Sequence, residues 1–278
     1  MNQNSAGRRI AFIGCGNMGS ALMGGLIRSG YPRELVSAAD QDPVKTARIA
    51  TELGIHVFQD NAEAARSADA LVLAVKPQVI AEVLSRLTDD LDGMGGRLII
   101  SMAAGVTLNR IGELTRGHRR IVRLMPNTPA LVGCGVTGMF AAPEVSDEEK
   151  EFAGSILKAV GETVWVSREE DMNTVTAASG SAPAYFFLLM QYMIECACAM
   201  GLTPEQARIL VTRSAQGSAE LALQRADVSL ETLRAQVTSK GGTTHAAVTA
   251  FEEADLKKAV FSAMEACVAR AKEMEKLF

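Results

Sequence analysis

Apolar residues in the first part of the chain gather into short, mostly continuous runs, separated by stretches of helical periodicity. The runs are Ile10–Ile13, Leu35–Asp40, His56–Phe58, Ala70–Val75, Arg97–Met102 and Ile121–Met125. Continuous rather than alternating apolarity predicts strands buried on both faces. Between them, Ser20–Arg28, Val44–Ala50 and Val79–Leu87 repeat apolar residues at helical spacing. Asp42-Pro43 opens the second of these helices and Gly54 stops it, and a polar break at Gln59-Asp60-Asn61 follows the third strand. The alternation predicts a parallel sheet with helices on both faces. Val132–Ala141 alternates like a further strand, and Ser146-Asp147-Glu148-Glu149 is a capping box for a helix running towards Val160. Gly161 stops that helix, and Thr163–Val166 reads as one more short strand.

The pattern changes at Ser167-Arg168-Glu169-Glu170, a second capping box, after which only helical periodicity remains. We therefore expect a sheet-based domain over residues 1–166, the one that carries the glycine turn described below, and a helical domain over 167–278. Pro183–Met200 is apolar on nearly every face, with Gln191 and Glu195 as the interruptions. It is barely long enough to cross a bilayer, and those two residues argue against lipid. A helix apolar all round is buried all round, and a region this small cannot bury it alone. A partner subunit, hence a homodimer, is expected. Thr203-Pro204-Glu205-Gln206 caps the next helix, which runs to Gln224. Leu230–Gln236 is a short helix, and the last extends from about Asp255.

Two segments suggest chemistry. Directly after the first strand comes Gly14-Cys15-Gly16-Asn17-Met18-Gly19, and then a helix. In this context the first glycine allows a tight turn, the second lets a pyrophosphate approach backbone, and the third lets helix pack on strand. The uncovered N–H groups and dipole of the new helix favour phosphate. Other strand ends on the same edge are Asp40, Lys76-Pro77, Ala103-Ala104-Gly105 and Pro126-Asn127. Asp40, ending the second strand, is placed to accept hydrogen bonds from a ribose 2′-hydroxyl, which suggests NAD. Lys45 and Arg48 could instead compensate a 2′-phosphate or simply face solvent, so NADH and NADPH stay open. The second segment, Val237–Val248, sets Gly241-Gly242-Thr243-Thr244 at the start of an apolar helix. It offers N–H groups, hydroxyls and a positive dipole end to a small carboxylate. A simply capped helix start explains the same residues equally well.

Composition narrows the classes. With 48% hydrophobic and 22% charged residues, the 278-residue chain is that of an ordinary soluble globular protein. A net charge of −4 gives no basic field for nucleic acid or anionic lipid, so neither partner is expected. The first residues lack the apolar core of a signal peptide. Cys15, Cys134, Cys196, Cys198 and Cys267 form no CxxC pair, and His56, His118 and His245 are far apart. A reduced, cytoplasmic setting without a metal site is expected.

The chain resembles pyrroline-5-carboxylate reductase almost end to end. The resemblance is carried by Phe12–Gly19, Ala74-Val75-Lys76-Pro77, Ala103–Thr107, Met125–Ala130, Ser179–Tyr185 and Val237–Thr244. It implies a Rossmann-type, mostly parallel α/β domain followed by an all-α dimerisation domain, with dimers often assembling into a decamer. It implies reduction of 1-pyrroline-5-carboxylate to L-proline with NADPH or NADH, the last step of proline biosynthesis. Carried over by position, Ile13-Gly14-Cys15-Gly16-Asn17-Met18, Asn61, Ala74-Val75-Lys76-Pro77, Ala103-Ala104 and Asn127 become cofactor contacts, with Asp40 beside them. Ser239, Gly241, Gly242, Thr243 and Thr244 become the grip on the substrate, with the Thr244 hydroxyl near the imine nitrogen as the catalytic group. Two positions depart from the family pattern: Lys240 stands where proline is usual, and Ala182 where glycine is. Lys240 either adds charge beside the carboxylate or points to solvent, and solvent is expected. Two other readings remain. A 3-hydroxyacid-dehydrogenase-like enzyme needs a catalytic lysine in the helical half near a glycine-rich turn, and the only candidate, Lys240, lies in the substrate loop rather than within a helix. A nucleotide-sensing protein would bind without turnover.

Overall fold

The computed structural model describes residues 7–278. Residues 1–6, most of the segment read as lacking a leader's apolar core, lie outside the described residues. The chain divides into two compact units, one running to Ser181 and resuming over Cys267–Phe278, the other spanning Ala182–Ala266. Compactness thus breaks later than the boundary expected at residue 167, and the last turns of the chain return to the first unit.

The first unit is built on one eight-stranded sheet: β1 (Ile10–Ile13), β2 (Val36–Ala39), β3 (His56–Phe58), β4 (Ala70–Leu73), β5 (Leu98–Ser101), β6 (Ile121–Met125), β7 (Gly135–Ala141) and β8 (Gly161–Trp165). Their order is β3-β2-β1-β4-β5-β6-β7-β8. The first six strands run parallel, β7 is antiparallel to β6, and β8 is parallel to β7. Six helices belong here: α1 (Asn17–Arg28), α2 (Pro43–Leu53), α3 (Asn61–Ala65), α4 (Pro77–Asp90), α5 (Leu108–Leu114) and α6 (Asp147–Lys158). A short α7 (Asp171–Val175) follows β8.

Side chains leave a strand alternately, so each face of β1 feeds a separate core. Ile10 and Phe12 join Leu22, Met23 and Leu26 of α1 and Phe152 and Ile156 of α6. Ala11 and Ile13 join Ile80, Leu84 and Leu87 of α4 and Ile111 of α5. Each of these large side chains, fully buried, contributes about 1.5–3 kcal/mol. This two-faced burial is why the strands read as unbroken apolar runs.

Several expected elements shift. Leu35 closes a 3₁₀ turn, so β2 begins at Val36. Thr128–Val132 is also a 3₁₀ turn, which delays β7 to Gly135. Gly161 does not stop a helix but opens β8, pairing with Gly135. The Asn61 break begins a short helix, capped by Asp60 accepting from the N–H groups of Ala62 and Glu63. The first capping box forms, with Ser146 and Glu149 reciprocally bonded. The second does not. Helix α7 starts at Asp171 without a side-chain cap, because Glu169 bonds Arg123 and the Leu108 N–H and Arg168 pairs with Asp171. A single π turn, Thr176–Gly180, continues α7, with the Ser181 N–H donating to the Thr176 carbonyl.

The second unit is helical: α8 (Ala182–Ala199), α9 (Pro204–Gln224), α10 (Leu230–Gln236), α11 (Thr243–Glu253) and the first turns of α12 (Leu256–Met274). Helices α8 and α9 pack together, and α9 starts with the expected Thr203–Gln206 capping box. Helix α8 is apolar all round, yet Phe186, Phe187, Leu188, Leu189, Tyr192 and Met193 are exposed on the single chain. With α7 and the π turn it forms a stretch, Asp171–Ala199, whose length and mean hydropathy of 1.2 would also suit a membrane span.

Candidate active site

The chain runs outward from β1 to β2 and β3, then returns to β4 on the other side of β1. Between β1 and β4 the topology switches, and an open parallel sheet binds ligands in the crevice at such a point. The glycine turn lies there. The Gly14 N–H donates to the Ala39 carbonyl at 2.7 Å, and the Ala74 N–H to the Ile13 carbonyl at 2.8 Å, so strands β1, β2 and β4 clamp it together. Gly14 has φ +107°, and a Cβ there would lie 2.6 Å from the Ala74 carbonyl oxygen. Only glycine fits. A Cβ on Gly19 would meet the Gly14 carbonyl oxygen at the same 2.6 Å, so α1 rests directly on the turn.

Gly16 is different. No atom stands within 4 Å of where its Cβ would be, and no side chain caps α1. Asn17 is exposed and Met18 half-buried. The first-turn N–H groups therefore face open space beside a residue without a side chain, which is the cradle an anion needs. Cys15 is fully buried, and burial first, then the Asp40 charge, pushes its thiol up to about 11. It is a packing residue rather than a nucleophile.

Asp40 sits at the expected strand end but faces inward. One carboxylate oxygen accepts the Cys15 N–H at 2.8 Å, and the other accepts the Asp42 N–H at 2.9 Å. Lys45 Nζ lies 3.6 Å from Asp40 and equally far from Asp42. Arg48 is exposed and donates to the Ser20 hydroxyl at 3.3 Å. One oxygen of Asp40 thus ties the second strand end to the glycine turn, the other braces its own loop at Asp42, and Lys45 stands beside it.

The remaining first-unit residues lie along the same sheet edge. Asn61 opens α3, Ala74 and Val75 follow β4, and exposed Lys76 with Pro77 starts α4, again without a side-chain cap. Ala103 and Ala104 follow β5. Asn127 follows β6 and is buried; its amide donates to the Ser179 carbonyl at 3.2 Å and its oxygen accepts the Val136 N–H at 3.0 Å. Its side chain bridges the start of β7 and the π turn. Met125 fills the space a side chain on Gly180 would need. Sequence periodicity gave no sign of this bridge. Among the described residues, no group of three or more His, Cys, Asp or Glu could hold a metal.

The second segment belongs to the other unit. Gly241 has φ +73°, and the Gly242 N–H donates to the Ser239 carbonyl at 2.9 Å, closing a turn ahead of α11. No side chain caps α11, so Thr243 and Thr244 do not cap this helix start and their N–H groups point out of it. Ser239, Gly241, Thr243 and Thr244 are exposed, and Gly242 is half-buried. Lys240 lies in the turn, exposed, outside any helix.

Comparison with known proteins follows the same division. A family described as "NADP oxidoreductase coenzyme F420-dependent" matches residues 9–105. A family described as "Pyrroline-5-carboxylate reductase dimerisation" matches residues 169–274. A pyrroline-5-carboxylate reductase of Vibrio alginolyticus is 44% identical over 98% of this chain and 99% of its own. A solved pyrroline-5-carboxylate reductase from Coxiella burnetii superimposes with a TM-score of 0.90 at 41% identity, covering 96% of this chain and 98% of that one. A Plasmodium falciparum pyrroline carboxylate reductase with NADP bound has a TM-score of 0.84 at 28% identity, covering 97% and 99%.

Proposed function

The chain belongs to the pyrroline-5-carboxylate reductase family, and from that premise we propose how its residues divide the reduction of 1-pyrroline-5-carboxylate to L-proline. It is an NAD(P)H-dependent oxidoreductase carrying the family's dimerisation domain, and the bare apolar surface of α8 is the natural dimer interface. When bound, the nicotinamide supplies the hydride.

The protein's share is binding and orientation. Residues Ile13–Met18 hold the pyrophosphate, with the N–H groups of α1 as donors and Gly16 leaving room. The observation that carries this is the uncapped α1 start beside an open Gly16 at the sheet's switch point. Asn61, Ala74–Pro77, Ala103, Ala104 and the backbone at Asn127 line the rest of the cofactor's path. Asp40 acts through the turn it ties down rather than by accepting from ribose. Lys45 and Arg48 then favour a 2′-phosphate, and NADPH is the preferred donor. Ser239 and Gly241–Thr244 hold the substrate carboxylate with free N–H groups and hydroxyls. The Thr244 hydroxyl fixes the imine nitrogen, and no charged acid–base pair is needed. The division of labour runs near residue 167, close to where the dimerisation family begins to match. The enzyme works in the cytoplasm, a reducing setting that its unpaired cysteines suit, and five dimers form a decamer.

The test is oxidation of NADPH by the purified chain. Turnover with 1-pyrroline-5-carboxylate, and none with 3-ketoacids, nor reduction of NADP+ by 3-hydroxyacids, is expected. NADPH oxidation by a 3-ketoacid alone, or NADP+ reduction by a 3-hydroxyacid, would favour the dehydrogenase reading, and NADPH binding without any turnover the sensor.

A further inference from the structure

Arg123 is a charged residue on β6, an otherwise apolar strand, and its side chain is only 7% exposed. A buried guanidinium is tolerated only where its charge is paired and its donors are satisfied. Here Nη1 meets Glu169 Oε1 at 2.5 Å and Nη2 meets Glu275 Oε1 at 3.5 Å. Each carboxylate has a second task. Glu169 Oε1 also accepts the N–H of Leu108 at 2.7 Å, the residue that ends the loop after β5 and opens α5. Glu275 Oε2 accepts from the Asn173 amide at 3.3 Å.

The same loop has a second support. Gly105 has φ +75°, and a Cβ on it would lie 2.8 Å from Met274 Cβ, so the loop presses on the last turn of α12, next to Glu275. Arg110 of α5 donates to the Phe278 carbonyl at 2.6 Å and fastens the chain end beyond it. The loop Ala103–Thr107 is therefore held at its end through Glu169 and at its middle through Met274, and Arg123 joins both supports. Arg123 and Ala103-Ala104-Gly105 line one cavity of about 200 Å³.

We infer that Arg123, with Glu169 and Glu275, is a positioning residue for the reaction: it sets the place of Ala103 and Ala104, which follow β5 on the side of the switch point away from Lys45 and Arg48, and so of the nicotinamide end of the cofactor. The inference rests on the reductase reading of those two alanines. An apolar residue would fill the same volume but could not fix two carboxylates in direction. The planar guanidinium fork does so, and a lysine, a single point of charge, cannot serve both.

The full-length homodimer is compared with Glu275→Gln, which keeps the Asn173 contact but removes the charge, and with Arg123→Lys. Each is measured for kcat, for both KM values, for the isotope effect with C4-deuterated NADPH, and for Tm. Expected is a fall in kcat of about ten-fold, a larger isotope effect and a higher KM for NADPH, with the KM for 1-pyrroline-5-carboxylate unchanged. Arg123→Lys falls further. If Arg123→Lys does not fold, Glu275→Gln decides. A lowered Tm with kcat, isotope effect and NADPH KM all as in the parent would overturn the inference and leave Arg123 a purely structural residue. If the parent itself does not reduce 1-pyrroline-5-carboxylate, the reductase reading fails separately. NADPH affinity, followed by its fluorescence, then decides: weaker binding by Glu275→Gln upholds the positioning role, and unchanged binding ends it.

Discussion

Replacing Asp40 by asparagine separates two roles that a carboxylate at this strand end can play. In the structure its oxygens accept the Cys15 N–H at 2.8 Å and the Asp42 N–H at 2.9 Å. A hydrogen bond to a charged group contributes about 1.5–3 kcal/mol. The amide can accept one of the two N–H groups but turns its own NH₂ towards the other, so one such bond is lost outright. The Lys45 attraction, at 3.6 Å with that lysine's side chain 44% exposed, adds little after solvent screening. The total is about 2 kcal/mol, which lowers Tm by roughly 4–8 °C in a chain of this size. The glycine turn loosens with it, so KM rises for NADPH and NADH alike. The measurements are thermal unfolding of the apo-protein and steady-state kinetics with each nucleotide. If Asp40 instead bound the ribose, Tm would stay put, NADH would weaken, and NADPH would hold or improve. That outcome would refute the reading of Asp40 as a tie.

Four further outcomes follow from the same geometry. Gly16→Ala has room in the apo fold, so Tm should hold within about 2 °C while KM for NADPH rises ten-fold or more, since the methyl sits where the pyrophosphate must approach. Equal KM values would remove the pyrophosphate from this turn. Thr244→Ala should cut kcat/KM about ten-fold or more, as when one directed donor is lost, with unfolding unchanged. Alkylation at mildly alkaline pH, followed by mass mapping, should label exposed Cys134 and spare Cys15, whose thiol stays protonated to about 11; early labelling of Cys15 would contradict its burial. Burial pushes the Glu149 carboxyl up, but the Ser146 N–H and the Arg120 guanidinium outweigh it and hold the carboxyl below the usual range. Its stabilisation is then complete above the unfolded carboxyl value of about 4.3 and is lost as pH falls through the lower folded one. Glu149→Gln should flatten the acid limb of a Tm–pH curve, and an unchanged limb would show that the pair does not contribute.

What the sequence made legible, and what it hid, divides along a physical line. Periodicity reports which backbone is buried, and so the six parallel strands, the glycine turn and the all-round apolar α8 could be read from residue order alone. The strand ends gathered at one edge because a parallel sheet has no other arrangement for them. Side-chain commitments carry no periodic signal. Asp40 reads as a ribose acceptor by its distance from Gly14, and what residue order did not show is that its oxygens also accept the Cys15 and Asp42 N–H groups. Glu169 reads as part of a capping box, but a buried Arg123 two strands away claims it, and α7 starts uncapped as a result. Asn127 reads as a cofactor contact, and its side chain also bonds Ser179 and Val136, a bridge with no periodic signature. At Glu169 a local pattern lost to a long-range partner whose desolvated charge had more to lose by going unpaired. The single visible hint was Arg123 itself. A cation inside an unbroken apolar strand cannot be left alone, so its presence in Ile121–Met125 required carboxylates from elsewhere in the chain, and the ones that answered are those beside the loop at Ala103.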